Sequence, residues 1–229
     1  MLRQCGKETR AANRDNLRSL SAPILRLLLA RHGEIPSNRE FRYVGSLDEP
    51  LAAAGLEQAD RLAAALASLP VRAVYSSPLL RTRETARRIA AAHELPLRLE
   101  PRLREQAFGE WEGLTRAQVL ESDGERLRGW EGDLSLAPPG GESLAAVQAR
   151  MLDLVGELAL DHTGDCLVLV SHVGPIKALL CAALGVPLAA ARHMFLDPAT
   201  LSVVDWGAHP VVRLFNAHGH LGWDAARWM

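Results

Sequence analysis

The stretch Leu27-Leu28-Leu29-Ala30-Arg31-His32-Gly33-Glu34 decides the fold of this chain. Its apolar half belongs to a run over residues 24–30 that predicts a β-strand. A strand that ends in Arg31 and His32 delivers a cation and a potential nucleophile to the carboxyl edge of a sheet, where ligands of α/β proteins bind. Arginine offers a planar fork of donors to phosphate oxygens, and a neutral imidazole beside it can attack phosphorus. The stretch therefore indicates phosphate chemistry at a sheet edge.

Short apolar strands alternate with longer amphipathic helices from Pro23 onward, and glycine or proline marks the joints between them. The predicted strands cover residues 24–30, 71–75, 97–99, 167–170, 201–205 and 211–215, the last two as a closing hairpin. The predicted helices cover residues 55–68, 79–93, 115–120, 141–160 and 175–184. This alternation predicts an α/β fold, namely a three-layer α/β/α sandwich with a mostly parallel central sheet.

The composition is that of one soluble globular domain. Apolar residues make up 48% of the 229 residues and charged residues 23%, which supports a single full core, expected over residues 23–229. The net charge of −1 argues against a nucleic-acid partner, because nucleic acids select proteins with a basic excess. No apolar run approaches the roughly 18 to 20 residues that cross a bilayer, so no membrane partner is expected.

Residues 1–22 differ from the rest of the chain, because basic residues are scattered among polar ones and no apolar core segment is present. A secretory signal would need a continuous hydrophobic region, which this segment lacks. We expect a mobile N-terminal extension or a loosely docked helix. A transit peptide is the weaker alternative, since Glu8 and Asp15 interrupt the basic pattern.

The three cysteines, Cys5, Cys166 and Cys181, are too few and too irregularly spaced for a disulfide framework, and none forms a Cys-x-x-Cys zinc pattern. A reducing cytoplasm fits this usage best. Cys166 and Cys181 lie within apolar stretches, so we expect both to be small buried hydrophobic residues rather than reactive thiols.

A second histidine, His172, follows the predicted strand 167–170 after Ser171, much as His32 follows the first strand. The ends of parallel strands lie on one edge of a sheet, so the two imidazoles could meet although they lie 140 positions apart in the chain. The alternative is a pair of unrelated loop histidines. Strand placement alone leaves both interpretations open.

The segment Ser76-Ser77-Pro78 follows the predicted strand 71–75 and precedes Arg81. One of its serines is expected to cap the next helix, with the proline in the first turn. Arg81 would then lie near a helix N-terminus, which itself favours anions. We therefore expect Arg81 to act as a second clamp for a phosphate group.

Taken together, the motifs of this chain closely resemble those of the histidine phosphatase superfamily, also called the phosphoglycerate mutase-like family. The resemblance extends over residues 25–221. The residues that carry it are Arg31-His32-Gly33-Glu34, Asn38, Ser76-Ser77-Pro78, Arg81, Leu103-Arg104-Glu105, Phe108-Gly109-Glu110-Trp111-Glu112-Gly113, Gly141-Glu142-Ser143, Ser171-His172, Asn216 and His220-Leu221.

The resemblance implies a phosphoglycerate mutase-like fold and a covalent mechanism. It makes His32 the nucleophile that takes the phosphoryl group and forms a phosphohistidine. It makes Arg31, Arg81 and His172 the groups that bind the phosphoryl oxygens and stabilise their charge in the transition state. Asn38 becomes an additional donor to the phosphate. The implied chemistry requires no metal ion and no cofactor.

The resemblance also makes Glu105 the general acid that protonates the leaving alcohol, and then the general base that takes a proton from water. Without the motif, the simpler interpretation is that Glu105 forms a surface ion pair with Arg102 or Arg104. The Leu103-Arg104-Glu105 motif favours the catalytic role.

A phosphatase and a mutase of this family differ in what receives the phosphoryl group. The segment 106–113 resembles the phosphatase form, although Gln106 and Ala107 depart from it. The 27 residues between Gly113 and Gly141 contain no double-arginine substrate motif, and mutases carry a longer insertion there. We therefore expect a phosphomonoesterase. The alternatives are a phosphoglycerate mutase dependent on bisphosphoglycerate and a non-catalytic phosphate-binding module.

The partner is then expected to be a small-molecule phosphate ester, with α-ribazole phosphate, phosphoglycerates and sugar phosphates as candidates. Specificity is expected to lie within residues 107–140, where Trp111, Trp130 and Pro138-Pro139 could form an apolar wall. The equally weighted alternative is that both tryptophans are core or interface anchors. The sequence does not decide whether the chain forms a homodimer.

Overall fold

A computed structural model of the protein describes residues 24–222. The mobile extension predicted over residues 1–22 lies outside the described residues. The strands are β1 (Leu25–Arg31), β2 (Val71–Ser76), β3 (Leu97–Leu99), β4 (Cys166–Ser171), β5 (Leu201–Trp206) and β6 (Val211–Ala217). The α-helices are α1 (Pro36–Arg39), α2 (Ala53–Leu66), α3 (Leu80–Ala92), α4 (Arg116–Gly132), α5 (Leu144–Asp161) and α6 (Val173–Leu184). Short 3₁₀ turns cover Pro101–Leu103, Gly109–Trp111 and Leu188–His193.

All six strands form one sheet in the order β3-β2-β4-β1-β5-β6. Strands β3, β2, β4 and β1 are parallel to one another, β5 is antiparallel to β1, and β6 pairs with β5 as an antiparallel hairpin. The prediction of a mostly parallel sheet closed by a hairpin is confirmed.

Helices cover both faces of the sheet and bury it completely at its centre. Successive side chains of a strand point to opposite faces. Leu27 and Leu29 accordingly pack in the cluster that contains α5 and α6, whereas Leu28 packs in the cluster that contains α2 and α3. The run of leucines at 27–29 is therefore apolar throughout because β1 has helices on both sides. The predicted three-layer α/β/α sandwich is confirmed.

The pairing of β1 with β4 brings two strand ends to the same level. Arg31 pairs with Ser171 as the last position of both strands. The next residue, His32, donates its backbone N–H to the carbonyl of Ser171 at 3.1 Å. The histidines that follow these strands therefore leave the sheet side by side.

The fourth helix is longer than the sequence predicts. The short helix predicted over 115–120 continues to Gly132 as α4, with a break at Asp123, where φ is −144° and ψ is 42°. Its three glycines and many charged residues weaken the helical pattern, so the sequence does not predict the full length of this helix. Beyond the break, Leu127 is buried, and the carboxylate of Asp123 accepts a hydrogen bond from Trp111 Nε1 at 3.2 Å. Tertiary packing thus sustains a helix that its own residues only weakly favour.

The predicted serine cap of the third helix is wrong. Helix α3 begins at Leu80, with Leu79 as its N-cap and no side-chain cap bond. Ser76 is still the last residue of β2, and Ser77 Oγ accepts a bond from the backbone of Leu79 at 3.3 Å. The first helical N–H instead donates to Asp48 Oδ1 at 2.5 Å, so an acidic residue from another loop satisfies the helix end.

Cys166 and Cys181 are free and buried, as the sequence predicts. Burial raises the pKa of both thiols, which keeps them protonated and unreactive at neutral pH. Within residues 24–222, none of the helices combines the length and the apolar character that crossing a bilayer requires.

Candidate active site

The two histidines predicted at the strand ends meet. The ring centroids of His32 and His172 are 5.2 Å apart, with an edge-to-face angle of 61° between the rings. Both side chains are almost completely buried. The interpretation as unrelated loop histidines is wrong, because the register of β1 and β4 places both at one edge of the sheet.

The hydrogen bond of His32 fixes which ring nitrogen can react. Its Nδ1 lies 2.7 Å from the carbonyl oxygen of Gly33, which can only accept, so Nδ1 carries the proton. The lone pair is then on Nε2. Burial and the positive charges of Arg81 and Arg31 hold the pKa of His32 well below its usual range. A neutral imidazole with its lone pair on Nε2 is the form that can attack phosphorus.

Gly33 allows the backbone after His32 to pack closely against α2. A Cβ at position 33 would lie 2.4 Å from the carbonyl oxygen of Gly55, and a Cβ at Gly55 would lie 2.1 Å from that of Glu34. The Gly33 N–H donates to Thr85 Oγ1 at 3.1 Å. The glycine of the opening motif is therefore required by packing, and it holds the carbonyl that sets the His32 tautomer.

His172 links two further elements of the site. Its Nδ1 accepts a hydrogen bond from Arg81 Nε at 3.3 Å, so the proton is on Nε2, which donates to Ser77 Oγ at 3.0 Å. Burial, and then the charges of Arg81 and its other neighbours, hold the pKa of His172 well below its usual range. His172 is thus a neutral ring tied to Arg81 and to the end of β2.

Arg81 is a buried cation held in one orientation. Its Nη1 donates to the carbonyl of Leu47 at 2.6 Å and its Nη2 to that of Gly45 at 2.8 Å. Burial lowers its pKa, whereas the nearby carboxylates of Glu105 and Asp48 raise it. An arginine stays charged in such surroundings, so Arg81 supplies fixed positive charge at the two histidines.

Arg31 directly precedes His32 in the chain and is also buried. Its Nη1 donates to the carbonyl of Leu196 at 2.5 Å, and its backbone N–H donates to Thr200. Ala199 N–H in turn donates to the carbonyl of His32 at 2.9 Å. The loop 196–200 therefore holds both the arginine and the histidine of the opening motif.

The loop 196–200 depends on residues that the sequence did not assign to the site. Asn216 Nδ2 and His218 Nε2 both contact Asp197 Oδ2, at 3.1 and 2.7 Å. Asp197 N–H donates to Asn216 Oδ1 at 2.9 Å. The sequence pointed to these residues only through the resemblance of residues 216–221 to the end of the family's sequences. The end of β6 thus positions Arg31 through Asp197.

Asn38 lies in the same cavity wall as Arg31, beside Leu196 and Val173. Its Oδ1 accepts from the backbone of Ile35 at 3.2 Å, inside the single-turn helix α1. Asn38 and Arg31 therefore line the same cavity.

Glu105 contacts the start of α6, the helix that follows His172. Its Oε1 accepts hydrogen bonds from the backbone N–H of Gln106 at 2.9 Å and of Gly174 at 3.0 Å. Arg102 pairs with Glu100 and Glu157 and not with Glu105. Gly174, which lies two residues after His172, therefore holds the Glu105 side chain at the start of α6. Glu105 does not form the surface ion pair with Arg102.

The segment around Glu105 is anchored by residues distant in sequence. Ser171 Oγ donates to the carbonyl of Leu103 at 2.7 Å, which fixes this segment to the end of β4. Arg150 on α5 donates to the carbonyl of Glu105 at 3.2 Å and pairs with Glu142 at 2.9 Å. Arg150 has no motif around it that would reveal this role. The hydroxyl group of Ser171 thus makes a structural hydrogen bond.

A cavity of about 420 Å³ opens beside Glu105. Phe108 and Trp130 form part of its wall, as the prediction for residues 107–140 requires. Trp111 is wrong as a wall residue, because it is buried in the core cluster against which Phe108 and Trp130 pack. The carbonyl of Pro139 instead accepts a hydrogen bond from the backbone N–H of Glu110.

A larger cavity of about 590 Å³ at the other edge of the sheet contains none of the predicted site residues. Among residues 24–222, no group of three or more histidine, cysteine, aspartate or glutamate side chains is arranged to hold a metal ion.

Gly174 gives a direct test of how Glu105 is positioned. A Cβ at position 174 would lie 2.6 Å from Glu105 Oε1, so Gly174→Ala should push the carboxyl group away. Displacements of about 1 Å cost roughly 100-fold in rate at active sites. We expect kcat/KM for glycerol 3-phosphate to fall by about 10- to 100-fold, and by less for p-nitrophenyl phosphate, whose leaving group needs no proton.

Gly156→Ala is the matched control, because Gly156 is an exposed residue of α5 and a Cβ there meets nothing within 4 Å. It should leave both rates unchanged and stabilise the fold by about 0.5 to 1 kcal/mol. Equal rates in the Gly174→Ala and wild-type enzymes would show that the Gly174 contact does not position Glu105.

The two buried imidazoles make stability depend on pH. Their pKa values lie well below the ordinary value of 6.5. As the pH falls through 6.5, both gain a proton in the unfolded chain but stay neutral in the folded protein. The unfolded state then binds more protons, so the free energy of unfolding should fall, by up to about 1.4 kcal/mol per imidazole and per pH unit.

Urea unfolding between about pH 7.5 and 5.5 measures this effect, since most carboxylates titrate below that range. The double variant His32→Gln/His172→Gln should lose less stability over the same interval than the wild type. Parallel pH profiles for the two proteins would contradict buried neutral imidazoles in the folded state.

Comparison with known proteins adds to this geometry. A family model described as histidine phosphatase superfamily (branch 1) matches residues 27–217. The chain is 39% identical over 199 residues to a bifunctional protein of Mycobacterium tuberculosis, a match that covers 86% of this chain and 55% of that protein. The chain thus spans about half the length of the first curated relatives it matches.

Two further proteins match along most of their length. Phosphoserine phosphatase 1 of Hydrogenobacter thermophilus is 37% identical over 201 residues, covering 87% of this chain and 95% of that protein. The solved structure of a mycobacterial glucosyl-3-phosphoglycerate phosphatase in complex with VO3 has a TM-score of 0.78 at 32% identity, covering 84% and 99% of the two chains. The predicted family and fold are confirmed.

Proposed function

This chain belongs to the histidine phosphatase superfamily, and we propose that it is a phosphomonoesterase that hydrolyses small organic phosphates through a phosphohistidine on His32. The observation that carries the proposal is the His32 ring. Its Nδ1–H donates to the Gly33 carbonyl, so the lone pair is on Nε2. Its ring centroid lies 5.2 Å from that of His172, and the buried cations Arg81 and Arg31 are close enough to lower its pKa, together with burial.

In the first step, His32 Nε2 attacks phosphorus. The P–Nε2 bond forms as the bond from phosphorus to the ester oxygen breaks, and the leaving oxygen takes a proton from Glu105. The phosphorylated ring becomes cationic, and the Gly33 carbonyl at Nδ1 stabilises that charge. Arg31, Arg81 and Asn38 bind the phosphoryl oxygens, whose charge grows in the transition state. His172 joins them when its Nε2–H turns from Ser77 Oγ to a phosphoryl oxygen.

In the second step, water attacks the phosphohistidine. Glu105, now a carboxylate, takes a proton from the water, a new P–O bond forms, and the P–Nε2 bond breaks. Phosphate leaves and His32 returns to its neutral form. The bond from Gly174 N–H to Oε1 keeps the Glu105 carboxylate in place between the two steps.

Hydrolysis is favoured over phosphoryl transfer to a second alcohol by the names of the relatives. The Hydrogenobacter thermophilus protein and the mycobacterial structure described above match this chain along nearly their whole length, and both are called phosphatases. The cavity beside Glu105 also leaves room for water after the alcohol departs. A cytoplasmic location is part of the proposal, and it is supported by the two buried, unpaired cysteines.

Product analysis tests the proposed function. The purified protein is incubated with 3-phosphoglycerate or p-nitrophenyl phosphate in the presence of EDTA and without bisphosphoglycerate. We expect inorganic phosphate to be released from both. A second reaction adds bisphosphoglycerate: formation of 2-phosphoglycerate there without free phosphate would instead show a mutase. Binding of inorganic phosphate without turnover in either reaction would show a phosphate-binding module.

A further inference from the structure

The site contains a lysine that the steps above do not use. The chain has two lysines, Lys7 and Lys177, against 24 arginines, so Lys177 is the sole lysine among the described residues. It lies on α6, one turn after Val173. Both residues line the cavity beside Glu105 and also the cavity that contains Arg31 and Asn38. Lys177 therefore lies where the two cavities meet.

The ammonium group of Lys177 is held close to the reacting groups without a partner of its own. Burial lowers its pKa, the negative charge of Glu105 raises it, and Arg31 lowers it further. In the part of the chain that the structure describes, Lys177 has neither a hydrogen bond nor an ion pair. A half-buried ammonium without a partner is costly unless a ligand supplies the anion.

The remainder of the cavity beside Glu105 offers little to compete for that anion. Most of its wall is apolar, formed by Phe108, Trp130, Leu134, Leu144, Val173 and Ala191. Glu131 is engaged by Arg116 through two hydrogen bonds. Arg192 is exposed and acts on Glu131 and Asp133, whose pKa values it helps to lower. Lys177 is thus the one cation of this cavity that is shielded from water.

We propose that Lys177 binds a carboxylate on the alcohol half of the substrate, so that the preferred substrates are phosphate monoesters of short hydroxy acids. This inference rests on the proposed phosphatase function. A single ammonium matches a monoanion, whereas a second phosphate dianion would call for the planar fork of an arginine or for several cations. Since Glu105 must reach the ester oxygen and Lys177 lies beside Glu105, the carboxylate can be only a few bonds from that oxygen.

The test uses two substrates that differ only at the anion. 3-Phosphoglycerate carries a carboxylate where glycerol 3-phosphate carries a CH₂OH group, and p-nitrophenyl phosphate reports the phosphoryl site alone. We expect the wild type to prefer 3-phosphoglycerate over glycerol 3-phosphate. Lys177→Met should lower that preference by about 10- to 100-fold, mainly through KM, and Lys177→Arg should restore part of it. Arg192→Met removes a cation of the same cavity and should lower the preference by less than threefold.

Each outcome bears on a different claim. Hydrolysis of p-nitrophenyl phosphate with no wild-type preference for the carboxylate would overturn this inference and leave the phosphatase function standing. Equal losses in Lys177→Met on all three substrates would also overturn it, because Lys177 would then serve the phosphoryl site or Glu105. Absence of hydrolysis with every substrate would overturn the proposed function and this inference with it.

Discussion

Replacing His32 by alanine should reduce kcat/KM for p-nitrophenyl phosphate by at least about 10⁴-fold, the scale on which enzymes lose activity when their nucleophile is removed. The reason is that no other group of the described site can take the phosphoryl group. His172 uses Nδ1 as an acceptor from Arg81 and its Nε2–H as a donor to Ser77, so its lone pair is already engaged.

His209→Ala is the control for His32→Ala, because His209 is exposed in the turn between β5 and β6. It should retain full activity. Circular dichroism should be the same for both variants, since alanine at position 32 leaves the backbone bonds to Ser171 and Ala199 in place. A His32→Ala enzyme that is folded and keeps a tenth of the wild-type activity would refute His32 as the nucleophile.

Replacing Glu105 by glutamine should slow the hydrolysis of glycerol 3-phosphate by about 10² to 10⁴-fold, because an alkoxide leaves poorly unless it is protonated. p-Nitrophenolate needs no proton, so formation of the phosphoenzyme from p-nitrophenyl phosphate should be slowed far less. The hydrogen bonds from Gln106 and Gly174 can still reach the amide oxygen, which keeps the side chain in place.

Rapid-mixing kinetics on both substrates measure this difference, with Glu110→Gln as the control at an exposed residue of the same segment. The control should leave both rates unaltered. If Glu105→Gln slows the reaction of both substrates equally, Glu105 orients the phosphate or the loop, and another group supplies the proton to the leaving oxygen.

The architecture could be predicted from the sequence because it depends on local patterns. The apolar runs that became β1 and β4 are short and bounded, and each carries a histidine at its end. Their convergence could only be offered as one of two alternatives, since it depends on which strands are neighbours. The pairing of Arg31 with Ser171 shows that β1 and β4 are neighbours, so the two histidines meet. The sequence of a single strand does not reveal which strand lies beside it.

The remaining site residues contribute through contacts between distant parts of the chain. The carbonyl of Leu196 holds Arg31, and Arg150 holds the backbone of Glu105, across 165 and 45 positions respectively. A backbone carbonyl has no sequence signature, and an arginine on an amphipathic helix resembles any surface arginine. Trp111 failed as a wall residue for the converse reason, because an aromatic side chain fits a core as well as a cavity.

The covalent intermediate tests the account most directly. Wild-type and Glu105→Gln enzymes are mixed with ³²P-labelled p-nitrophenyl phosphate, quenched within milliseconds in alkali, and the label is located by peptide mapping. We predict a base-stable, acid-labile phosphohistidine at His32. It should accumulate further in Glu105→Gln, which lacks the base for the second step, and be absent from His32→Ala. Label on another residue, or turnover by Glu105→Gln without any labelled protein, would contradict the mechanism.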